Sequence, residues 1–155
     1  LGEFEESAAL AKTRTLVLDT SAIVALLCGW HVRHADVRAR IEERISSGFS
    51  LAIPAHALVE TYAVLTRLPP PYRISASDAR QLLESNFRRV PILTLTAREH
   101  WLLVEEAQLG GVAGGRMYDA LIARCAKKAV APTLLTLNVR HFASFEDEDL
   151  ALTAV

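Results

Sequence analysis

The residues best equipped for chemistry in this chain are three carboxylates set inside apolar segments. Asp19 ends the run Leu16-Val17-Leu18. Glu60 sits between Ala57-Leu58-Val59 and Thr61-Tyr62-Ala63-Val64. Asp119 sits between Met117-Tyr118 and Ala120-Leu121-Ile122-Ala123. A charge taken out of water without a partner is costly, so isolated acids are rarely buried. Three such placements in one small domain point to acids that share a cation. A carboxylate-bound divalent cation is a reaction centre for phosphate chemistry.

Each acid also has a plainer reading. Asp19, followed by Thr20 and Ser21, fits the N-cap of a helix. Glu60 fits a helix whose side chain reaches water along its stem or pairs with an Arg. Asp119 fits the first turn of a helix, where the dipole favours negative charge. Its i+3, i+4 and i+7 neighbours are Ile122, Ala123 and Ala126, whereas Arg124, Lys127 and Lys128 lie elsewhere on the wheel, which aims Asp119 inward. Asn138 follows an apolar strand segment, where Asn is commonly a turn residue. The joint order of the four carries more than any one of them.

Positioning these residues takes an alternation of strands and helices. Thr15–Asp19 reads as a short buried strand, Ala22–Leu27 as a helix that stops near Gly29, and Arg33–Ser47 as an Arg-rich amphipathic helix. Ser50–Ile53 is a second strand, and Pro54 opens the helix that carries Glu60 as far as Arg67. Ser75 or Ser77 starts a helix to Phe87, and Val90–Leu95 is a third strand with Pro91 at its entry. Thr96 and Glu99 have capping-box spacing ahead of a helix that ends at Gly110-Gly111. Gly114-Gly115 precede the Asp119 helix. Thr133–Leu137 is a fourth strand, and Leu150–Val155 is an edge-strand candidate. Strands separated by helices imply an α/β domain with a mostly parallel sheet, whose ligands sit at the carboxyl ends of the strands.

The chain has 155 residues, 51% of them hydrophobic, which is enough for one domain with a real core. We divide it into an N-terminal extension over residues 1–14, with a weak helix at Ala8–Ala11, and a single domain over residues 15–155. Its apolar runs are too short to span a bilayer, and no secretory leader is visible. Cys28 and Cys125 read as buried free thiols, which fits a reducing, cytoplasmic setting. A net charge of −1 leaves no global footprint for nucleic acid. The acids cluster at the ends, so the middle keeps a basic excess and nucleic-acid binding is expected to be local and salt-dependent. The terminal run Glu146 to Asp149 reads as a solvated segment. The five His residues show no metal-ligand spacing. His56 falls one turn before Glu60, where it could touch the site, and reads foremost as a helix-start or core residue; His141 reads as a packing or capping residue. Trp30 and His31 fit packing on the domain surface, a protein contact, or stacking on a single-stranded base.

The segments Val17-Leu18-Asp19-Thr20-Ser21-Ala22, Glu60 on the helix after Ile53-Pro54, Gly114 to Ala123, and Leu135 to Phe142 resemble the PIN-domain ribonucleases. Within them, the chain is most similar to the VapC-type toxins of bacterial toxin–antitoxin pairs, from about Leu16 to Phe145. The resemblance implies a three-layer α/β/α sandwich with a mostly parallel central sheet and an acidic divalent-metal site. It places the family's acids on Asp19, Glu60 and Asp119. The fourth position, often Asp in the family, is Asn138 here, which removes one charge and weakens any second metal site. Ser21 and Thr136 fall on the small hydroxyl positions that orient ligands. Oxygen donors of this kind suit Mg2+, or Mn2+, and no Cys/His set for zinc is present. Arg116 and Arg140 are candidate phosphate contacts, with surface placement or neutralisation of the acids as the alternative. The implied partners are an RNA substrate, a cognate antitoxin and a second copy of the chain, joined through helices in residues 33–67 and 75–87. Phosphatase chemistry of the haloacid-dehalogenase type is disfavoured, because no second Asp stands two residues after Asp19. A receiver domain is disfavoured for want of an upstream acidic pair. The remaining rival is a non-catalytic or weakly active RNA-binding module of the same fold.

Overall fold

The computed structural model describes residues 14–155. The expected helix at Ala8–Ala11 and the acids at Glu3 to Glu6 lie outside the described residues. Five strands form the central sheet: β1 (Arg14–Leu18), β2 (Phe49–Pro54), β3 (Ile92–Leu93), β4 (Pro132–Leu135) and β5 (Ala151–Thr153). They lie in the order β3-β2-β1-β4-β5, and every neighbouring pair is parallel. Seven helices connect them: α1 (Thr20–Leu27), α2 (His34–Ser46), α3 (Ala55–Arg67), α4 (Ala76–Phe87), α5 (Ala97–Leu109), α6 (Arg116–Ala126) and α7 (Val139–Phe142). The architecture is the expected three-layer α/β/α sandwich.

Burial explains the order of the strands. Leu16, Val17 and Leu18 of β1 are fully buried, and all of β4 is buried, as continuous apolar runs in the middle of a parallel sheet should be. One large core joins these strands to Ala22, Ile23 and Ala25 of α1, Ala57 of α3, and Ile122, Ala123 and Ala126 of α6. A second cluster, Leu95, Leu103, Ala120 and Cys125, locks α5 onto α6. A third, Cys28, Leu65 and Ala79, ties α1, α3 and α4 together. Helix starts follow local chemistry: Asp19, Ser75 and Thr96 each accept a hydrogen bond from the backbone N–H three residues on. Both thiols are free and buried, and burial pushes Cys125 up to about 11. Among the described residues no helix is long and apolar enough to cross a membrane.

Three strands are shorter than the sequence implies, the last spanning Ala151–Thr153 rather than Leu150–Val155. The third spans Ile92–Leu93 rather than Val90–Leu95. It is an edge strand whose Pro91 has no N–H to donate and instead accepts from the Ile53 N–H. Past it, Leu95 turns into the α5–α6 cluster. The fourth strand stops at Leu135 rather than Leu137. The Leu137 N–H goes to the Ser21 hydroxyl and the Asn138 N–H to the Thr136 hydroxyl, which peels the chain off the ladder.

Candidate active site

The chain winds outward from β1 through β2 to β3 on one side, then crosses to β4 and β5 on the other. The β1/β4 boundary is therefore the topological switch point, and the crevice beyond its carboxyl ends is where open parallel sheets bind ligands. Asp19 stands directly after β1 and Thr136 directly after β4. Their strands stay linked beyond the ladder by a bond from the Asp19 N–H to the Leu135 carbonyl, 3.2 Å.

Asp19 is only 3% exposed, yet among the described residues every donor to its carboxylate is neutral. Oδ1 accepts from the Ser21 hydroxyl at 2.7 Å and from the Ala22 N–H at 2.8 Å. Oδ2 accepts from the Thr136 hydroxyl. Asp19 thus is the N-cap of α1 and also the buried acid at the sheet edge; the two readings of this residue coexist. Burial pushes its carboxyl above the ordinary carboxylate value. The three donors pull it back in part, and the charge of Asp119 adds to the rise. Ser21 and Thr136 thus both donate to this carboxylate, and they accept the Leu137 and Asn138 N–H groups respectively, which fixes the turn after β4.

Asp119 lies in the first turn of α6, half-buried, on the face shared by buried Ile122, Ala123 and Ala126. Burial raises its carboxyl first. His141 pulls it down, Glu60 pushes it up, and Arg116 pulls it down, for a net rise. Glu60 is less buried than its apolar neighbours imply, with a side chain 37% exposed. Its Oε2 accepts from the Thr20 hydroxyl and lies 3.1 Å from His56 Nε2. The charges of Asp19 and Asp119, and of Asp119 and Glu60, are thus close enough to act on one another. Even so, no three Asp, Glu, His or Cys side chains among the described residues form a ready metal cage. Asn138 is exposed and engaged through its backbone, with no side-chain cap bond.

The donor chemistry suits a hard divalent cation. The acids offer carboxylate oxygens, and among the described residues no Lys or Arg forms an ion pair with Asp19, Glu60 or Asp119. Asp19 and Asp119, raised by burial, would be the groups most relieved by such a cation.

Of the two candidate phosphate contacts, Arg140 lines a cleft with Gly115, Arg116, Asp119 and His141. Arg116 is held partly away: it donates to the Ser144 hydroxyl at 2.8 Å and lies 5.6 Å from the centre of the Phe145 ring. Sequence reasoning undervalued two histidines. His56 contacts Glu60 instead of serving only the helix start, a contact legible in their i, i+4 spacing. His141 is exposed and acts on Asp119 rather than packing locally. Trp30 stacks on Tyr72 with ring centres 4.3 Å apart, the surface-packing alternative. The terminal acids are not merely solvated. Asp147 pairs with Lys127, and Glu146 accepts from the Leu152 N–H.

Fold and site together define an α/β domain with an acidic crevice at the switch point of a parallel sheet. The chain belongs to the PIN domain family, whose sequence profile matches residues 16–147. It is 40% identical over 129 residues to Ribonuclease VapC40 of Mycobacterium tuberculosis, spanning 83% of this chain and 90% of that relative. It is 39% identical over 131 residues to Ribonuclease VapC27 of the same organism, spanning 84% and 90%. Its fold matches VapBC2 from Rickettsia felis, solved bound to a DNA fragment from its promoter, with a TM-score of 0.64 at 22% identity over 91% of this chain and 98% of that one. It also matches Mycobacterium tuberculosis VapC20, described as a sarcin-ricin loop cleaving toxin, with a TM-score of 0.65 at 18% identity over 83% and 94%. At those identities the structural matches speak for the fold.

Proposed function

We propose that this chain is a divalent-metal-dependent endoribonuclease, the toxin of a toxin–antitoxin pair, using Mg2+ with Mn2+ as a substitute. The observation that carries this reading is Asp19: a buried carboxylate at the switch point, bonded only to neutral donors among the described residues, in a chain 40% identical to a ribonuclease. Asp19 and Asp119 would hold the cation, with Glu60 and the neutral oxygen of Asn138 completing the set. When bound, the metal supplies Lewis-acid stabilisation and a more acidic water for hydrolysis of a phosphodiester. The rest falls to the chain. Ser21 and Thr136 lock the Asp19 carboxylate in one orientation, so no reorganisation is needed on binding. Arg140 and His141, on the wall of the Asp119 cleft, would bind RNA phosphate, and Arg116 would join them by leaving Ser144.

An antitoxin partner fits the VapBC complexes among the fold's neighbours. A homodimer through residues 33–67 and 75–87 fits the exposed Val59 and Tyr62 on α3. A cytoplasmic setting fits the two reduced thiols. The test is cleavage of cellular RNA by the purified chain, free of antitoxin. Cleavage should require Mg2+ or Mn2+, stop with chelator, and vanish in Asp119→Asn. A chain that cuts no RNA with either metal would leave the non-catalytic RNA-binding module as the better reading.

A further inference from the structure

We infer that His56 and Tyr118 are positioning residues that set the orientation of the Glu60 carboxylate. The inference rests on the acidic-site reading above and concerns the one acid whose orientation sequence did not explain. His56 Nε2 lies 3.1 Å from Glu60 Oε2. The Thr20 hydroxyl donates to the same oxygen, also at 3.1 Å. Both contacts fall on Oε2, so Oε1 keeps its acceptor capacity among the described residues. A free Glu side chain has several rotamers to choose from, and two donors on one oxygen select among them.

His56 is itself held. Its ring lies parallel to the Tyr118 ring, with centres 5.1 Å apart and planes 3° from coplanar. Tyr118 is 58% exposed, so this ring is not placed by core burial. It lies on α6, whereas His56 and Glu60 lie on α3. The chain neighbours of the other two acids therefore orient the third: Thr20 follows Asp19 and bonds Glu60 directly, and Tyr118 precedes Asp119 and holds the His56 that reaches Glu60. An i, i+4 His–Glu pair by itself only supports a helix. The stack across two helices and the second donor from α1 make this one a brace between the elements that carry the three acids.

Two residue pairs separate orientation from mere packing. His56→Phe keeps a ring for the stack and removes the donor, whereas His56→Gln keeps a donor near Nε2 and loses the ring. Tyr118→Phe keeps the stack and Tyr118→Leu removes it. The measurement is Mn2+ affinity of the purified full chain, by calorimetry, alongside thermal unfolding. His56→Phe should weaken Mn2+ binding by roughly tenfold, the low end for a group that orients a ligand, with unfolding temperature little changed. His56→Gln should recover most of the loss. Tyr118→Leu should weaken binding in the same direction, and Tyr118→Phe should match the wild type. In a Glu60→Gln background, His56→Phe should have no further effect. Wild-type binding of Mn2+ with unweakened His56→Phe, or with His56→Phe costing as much in the Glu60→Gln background, overturns the brace alone. A wild-type chain that binds no Mn2+ overturns the acidic site itself. Should His56→Phe fail to fold, the two Tyr118 variants decide the question.

Discussion

Two groups of carboxylates divide this molecule. Away from the carboxyl edge of the sheet, Glu106 pairs with Arg124, Asp147 with Lys127 and Glu99 with Lys128. The lysine bonds hold Glu99 and Asp147 below the ordinary carboxylate value. At the edge, Asp19 and Asp119 are pushed above it, burial being the first cause in both. The chain thus pairs its structural acids with its own Lys and Arg, whereas among the described residues no Lys or Arg forms an ion pair with the acids at the switch point. An acid kept buried with neutral donors costs stability unless something outside the chain compensates. The contrast, more than the acids' number, is what supports the proposed binding site at the edge.

Asp19→Asn is the largest test of the contrast. Cleavage and Mn2+ binding should each fall by more than about 100-fold, beyond the range for groups that only orient ligands. The metal-free variant should be more stable than the wild type at neutral pH, by on the order of 1 kcal/mol. The sign follows from the raised carboxyl. Folding favours protonated Asp19, so its contribution is best at acid pH and is lost as pH rises from the ordinary value through the raised one. A metal-free Asp19→Asn protein no more stable than the wild type at pH 7 would mean that Asp19 carries no burial cost. Thr136→Val comes next. It removes a donor to a buried carboxylate and the anchor for the Asn138 N–H. A tenfold or so loss of Mn2+ affinity is expected, with about 1–3 kcal/mol of stability measured by urea titration.

Asn138→Asp should tighten Mn2+ binding severalfold, by adding a fourth charge near the others. Its exposed, unbonded amide makes this effect modest, and an unchanged affinity would remove Asn138 from the donor set. The smallest effect is expected in the other group. Lys128→Met should leave cleavage untouched and only flatten the acid side of the stability curve. Glu99 contributes stability above its ordinary value that is lost as pH falls through the lowered one. If Lys128→Met impaired cleavage, the division between structural and site acids would be drawn in the wrong place.

Much of this was legible in the chain. The apolar runs of β1 and β4, the caps at Ser75 and Thr96, and the wheel that turns Asp119 inward are local patterns, and the structure keeps them. Strand ends were not legible. Thr136 and Leu137 look like more strand until Ser21 is seen to take the Leu137 N–H from 116 positions away. Glu60 was placed correctly on its helix, but its apolar neighbours implied deeper burial than it has. Its contacts involve Thr20 of α1 and a ring stack between its own helix and α6. The role of His141 was hidden for the same reason, since its effect on Asp119 exists only once α7 packs beside α6.

By itself, the sequence determined the alternation of strands and helices, the parallel sheet, and the order of the acids along the chain. Those features follow from hydrophobic period, capping and turn chemistry, which act over a few residues. Only the tertiary structure decided that the switch point falls between β1 and β4, that Asp19 receives neutral donors alone, and that Glu60 is braced from two sides. Each includes a relation between groups 40 or more residues apart in the chain, such as Thr20 with Glu60 and Asp19 with Thr136. Whether a carboxylate is paired, buried or free is a property of the space around it, and that space exists only after the chain has packed.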